Sequence, residues 1–139
     1  MKANKFATAL AGAILLMGVL VPARAQDTKV DPTGTYMWTV PGRNGGLDRT
    51  NTLVLKLNLD KLTGNLTAPG RGGQTTTTEV SEGKITGADI SFCVVRSFND
   101  HTFTNKYSGT LAAGVITGKM DFERNGEAQS RDWEAKLQQ

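Results

Sequence analysis

The stretch Ile90–Tyr107, ISFCVVRSFNDHTFTNKY, alternates apolar and polar residues on either side of Asn99-Asp100, and it limits the fold more than any other feature of the chain. A period of two broken by a turn dipeptide predicts a β-hairpin with one wet face. Ile90, Phe92, Val94 and Phe98 share a face with Phe103, Tyr107 and Leu111; Ser91, Ser97, Thr102, Thr104, Lys106 and Ser108 take the other. Arg96 and Asn105 interrupt the apolar face close to the turn.

The rest of the chain repeats this unit. Strands are predicted over Thr35–Val40, Thr50–Asn58, Leu62–Ala68, Thr75–Thr86, Val115–Arg124 and Gln129–Leu137. Tight turns fall at Asp60-Lys61, Gly87-Ala88, Ala112–Gly114 and Asn125-Gly126, the last being the strongest hairpin dipeptide present. Pro41–Arg49 and Pro69–Gln74 read as glycine-rich loops, and the second lacks the spacing of a phosphate-binding loop. Val80 and Ile85 fall on opposite parities, so the polar fourth strand is expected to bulge near Glu82-Gly83. With no helical period after the N-terminal segment, the expectation is an all-β fold: an eight-stranded antiparallel up-and-down meander closed into a barrel. An outer-membrane barrel has the same strand count, but it requires apolar bands on nearly every strand, and the fourth strand is polar on both faces.

Residues 1–25 have the parts of a cleavable signal peptide: Lys2 and Lys5, an apolar run from Phe6 to Val21, and Ala23-Arg24-Ala25 before Gln26. This predicts export to the periplasm or the extracellular space, with no membrane attachment after cleavage. Residues 26–34 then form a polar leader with a turn at Asp31-Pro32, and 35–139 a single barrel domain. The removed segment carries three of the 16 basic residues and none of the 13 acidic ones, so the formal charge drops from +3 to zero. That balance gives no reason to expect a nucleic-acid partner. Cys93 is the only cysteine, so no intramolecular disulfide can form, and its position on the polar side reads as a small strand residue.

In such a meander the loops at Pro41–Arg49, Pro69–Gln74, Asn99–His101 and Asn125–Ala128 gather at one end. All six arginines after residue 25 lie in or near them: Arg43, Arg49, Arg71, Arg96, Arg124 and Arg131. Arg96, Arg124 and Arg131 are in phase with the apolar faces, so they are expected to point into the barrel mouth beside Asn105, Tyr107 and Trp38. Guanidinium forks over an aromatic floor suit a small polar or anionic ligand. Equally, the arginines pair with Asp48, Asp100, Glu123, Glu127 or Asp132 and plug the barrel. His101 is the only histidine and sits in a turn; no catalytic set, metal site or cofactor motif is expected.

GTYMW, GRGGQ, VVRSFNDHTFTNKYSG and FERNGEAQSRDWEAK together resemble a group of small exported bacterial proteins of unassigned function. More loosely, the Gly34–Trp38 phrase opening an eight-strand meander resembles the calycin-type barrels, lipocalins and avidins. That likeness implies carriage of a ligand in the barrel. The sequence therefore points to a small binding module, with a structural or protein-interaction domain and an enzyme acting on glycans as alternatives.

Overall fold

The computed structural model describes residues 30–139. The expected signal peptide and the first residues of the leader lie outside them. Eight strands follow one another: β1 (Gly34–Val40), β2 (Arg49–Asn58), β3 (Lys61–Pro69), β4 (Thr75–Thr86), β5 (Asp89–Phe98), β6 (His101–Ala112), β7 (Val115–Arg124) and β8 (Glu127–Leu137). Each pairs antiparallel with the next, and β8 returns to β1, giving a closed up-and-down barrel. Short 3-10 turns at Arg43–Gly45 and Arg71–Gly73 occupy the two long loops.

The turns follow backbone chemistry. Asn99-Asp100, Ala113-Gly114 and Asn125-Gly126 have both residues at positive φ. That twist matches the right-handed twist of the flanking strands. The turn between β2 and β3 is Leu59-Asp60 rather than Asp60-Lys61, because Lys61 already pairs with Asn58. Leu59 takes φ 59° there, in the region where a Cβ is crowded. The β4 bulge lies at Glu82-Gly83: the ladders to β3 and β5 both shift register around it, and Glu82 has φ 51°.

Apolar side chains point inward and fill the lower barrel with one cluster that includes Tyr36, Leu53, Leu55, Leu62, Leu66, Ile90, Leu111 and Ile116. The end of the leader seals that base. Pro32 is fully buried, Val30 packs against the cluster, and the Tyr36 hydroxyl donates to the Pro32 carbonyl at 3.1 Å. The outward positions of β6 to β8 carry Thr, Ser, Lys, Asp and Glu, so the barrel turns its apolar faces in and its polar faces out.

The other end is open. Each hairpin is paired to its tip, at Val40↔Arg49, Pro69↔Thr75, Phe98↔His101 and Arg124↔Glu127. Between hairpins the ladders stop earlier, at Thr52↔Thr67, Val80↔Val94, Lys106↔Asp121 and Met37↔Lys136. Four hairpins thus stand apart around the mouth. This explains why Phe98 and Phe103, in phase with the core, are 58% and 47% exposed: their hairpin has left the wall on both sides before reaching them.

Candidate functional site

The site is built upward from four aromatic rings. Phe92 on β5 stacks on Tyr107 on β6, directly across the ladder, with centroids 4.9 Å apart and planes 10° from parallel. Trp133 meets Tyr107 edge-on at 5.1 Å, and Trp38 meets Trp133 at 5.3 Å. Trp133 can lie there because its partner on β7 is Gly118, itself opposite Gly109 on β6. A Cβ on Gly118 would overlap the Ser108 carbonyl. With no side chain in the way, the indole crosses the gap and its N–H donates to that same carbonyl at 3.2 Å.

Above this floor opens a cavity of about 1320 Å³ at the mouth. Arg43, Arg49, Arg96 and Arg131 line it together with Trp38 and Tyr107. Arg96 is half-buried; its Nε is shielded from solvent and has no hydrogen-bond partner. Burial pushes the Tyr107 phenol above its ordinary pKa, while the Arg96 charge and the Asn105 side chain work against that rise. Arg131 is exposed and holds its guanidinium 5.3 Å from the centre of the Phe122 ring, a cation–π contact. No protein-family model, curated protein or solved structure matches the chain.

The residues singled out from the sequence separate into groups. Trp38, Tyr107, Arg96, Arg131 and Arg43 converge on the cavity, whereas Asn105, whose side chain hydrogen-bonds the Tyr107 phenol, is outside the cavity lining. Arg124, expected in the mouth, is instead exposed at the tip of the β7–β8 hairpin, outside the cavity lining. Arg71 lies in the 3-10 turn between β3 and β4, at the same end of the barrel. Arg49, Met120 and Trp133 line the cavity without having been proposed for it. Two of these follow from strand parity: Trp133 shares a face with Arg131, and Arg49 is in phase with Leu53 and Leu55.

The expected carboxylate plug does not form among the described residues. The ion pairs there are Lys119–Asp132 at 2.8 Å and Lys136–Glu134 at 3.5 Å, both on the outer face. Asp48 accepts from the Gly42 backbone N–H at 3.3 Å, closing its own loop. Among the described residues no group of His, Cys, Asp and Glu could hold a metal ion. Cys93 is buried in the outer wall and donates from Sγ to Glu82 Oε2 at 3.2 Å. Burial first, then that bond and the Glu82 charge, raise its pKa and keep it a thiol.

Proposed function

We propose that this chain is a small exported binding module that holds a polar or anionic ligand in its arginine-lined mouth. Arg96 carries the reading. A buried guanidinium N–H with no acceptor costs on the order of 1–3 kcal/mol. A bound carboxylate, sulfate or phosphate offsets that cost through charge-assisted hydrogen bonds. The rings beneath offer apolar faces to whatever carries the anion, so benzoate is a suitable probe. The eight-strand meander opening on Gly34–Trp38 supports a calycin-like module, and the composition of residues 1–25 supports export with cleavage before Gln26. A protein-interaction domain is the second reading, favoured by Leu47, Phe98 and Phe103 standing exposed on the rim.

Titrating benzoate, sulfate and phosphate while following the fluorescence of Trp38 and Trp133 tests the mouth. Saturable binding of at least one anion is expected. Arg96→Leu is expected to stay folded, with a melting temperature no more than about 8 °C below the parent, roughly a 1 kcal/mol loss, and to bind at least tenfold more weakly. If none of the three anions binds, or if Arg96→Leu unfolds the barrel, the arginine is a structural group and the reading fails.

A further inference from the structure

The barrel closes on itself through two residue pairs only, Tyr36↔Leu137 and Met37↔Lys136. Above them β1 continues to Val40 and β8 runs from Ala135 back to Glu127 without facing each other in the ladder. The mouth cavity passes through this seam. Besides inward residues it is lined, well below the rim, by outward-facing ones from β1 and β8: Met37, Thr39, Asp132, Glu134 and Lys136. A cavity contained within a closed wall would touch none of these.

The backbone at this edge is oriented for pairing. Gln138 N–H donates to Thr35 O across the seam, whereas Leu137 N–H donates to Gly114 O on the β7 side, both at 2.8 Å. Strand geometry alternates these directions, and the β7–β8 register runs unbroken from Lys136 to Glu127. The N–H and C=O groups of Glu134, Asp132 and Ser130 therefore face the seam, where β1 pairs with none of them. A run left unpaired among the described residues is a template for an added strand. The cavity volume, about 1320 Å³, also exceeds the ~300–1,000 Å³ usual for small-molecule sites.

We infer that the occupant of the mouth is an extended peptide segment that adds as a strand to β8 at the open seam, with acidic side chains at alternate positions turned inward. The acidic character follows from charge. Alternate side chains of an added strand enter the cavity lined by Arg49, Arg96 and Arg131, none of which forms an ion pair among the described residues. The intervening side chains lie outside, beside Asp132 and Glu134, where further acids are repelled. This rests on the reading of the mouth as a binding site and specifies its partner.

The test uses a mixture of blocked heptapeptides with Glu at positions 2, 4 and 6 and the other positions varied. Peptides that bind are expected to slow amide hydrogen exchange at Asp132 and Glu134 at least tenfold in the unaltered protein. Glu134→Pro, which removes a seam-facing N–H and none of the β7 ladder, is expected to weaken their binding at least tenfold. Binding without amide protection overturns strand addition, leaving charge attraction alone. Benzoate binding with no peptide binding overturns this inference and preserves the mouth as a small-ligand site. If neither the peptides nor any of benzoate, sulfate and phosphate binds, both readings fail.

Discussion

Arg96 and Cys93 sit three residues apart on β5, on opposite faces, and meet opposite fates. Arg96 faces inward among rings, with a buried Nε that nothing in the chain satisfies. Cys93 faces outward and is covered by its neighbours, with Glu82 as its hydrogen-bond acceptor. Like Tyr107, whose phenol is buried in the floor, it has a pKa raised above its ordinary value, 9.0 for the thiol and 10.0 for the phenol. Both groups fold in their neutral forms, so their contribution is fully present below those ordinary values and is lost as pH rises through the higher folded ones. Thermal denaturation followed from pH 7 to 11 is expected to show a melting temperature independent of these groups to about pH 8.5 and falling above it, because ionisation then favours the unfolded chain. In Cys93→Ser the first part of that fall should be absent.

The hairpin elements show how far local chemistry reaches. Asn99-Asp100 and Asn125-Gly126 adopt the positive φ values their residue types favour, and the ladders beside them run to the last residue. The β2–β3 turn departs from this pattern: Leu59 holds φ 59° with its side chain 82% exposed, so it bears a strained backbone with almost no packing in return. Leu59→Gly is expected to stabilise the protein by about 1 kcal/mol, read as a higher midpoint in urea with an unchanged slope. The strand pattern predicts this turn one residue later, at Asp60-Lys61. The pairing of Asn58 with Lys61 sets it at Leu59-Asp60 and places Leu55 opposite Gly64, whereas a turn one residue later would slide every β2–β3 partner by two residues and bring Leu57 there.

At the scale of the molecule, one end is a sealed core and the other a ring of separated hairpins. Where ladders continue around the whole circumference, opening requires breaking several strands at once; near the mouth each hairpin can open alone. Native-state hydrogen exchange is expected to be slowest at Leu53, Leu55, Phe92 and Ile116, and faster by at least a hundredfold for Thr102 to Thr104 and Glu127 to Gln129. Uniform protection from base to rim would contradict this division.

What the sequence determined by itself is the strand count, the up-and-down order, the bulge at Glu82-Gly83 and the end of the barrel where the arginines gather. Each is written in a local pattern, a period of two or a turn dipeptide, that needs no distant partner to be read. The tertiary structure alone decided how deep each residue lies and where the wall opens. Phe98, Phe103 and Arg124 have the parity of core positions yet stand outside, while Arg96, with the same parity, is half-buried. Parity says which face a side chain takes, whereas burial depends on whether the neighbouring hairpin is still paired at that height. The short closure between β1 and β8 joins the first and last strands, and no short stretch of sequence contains both sides of that seam.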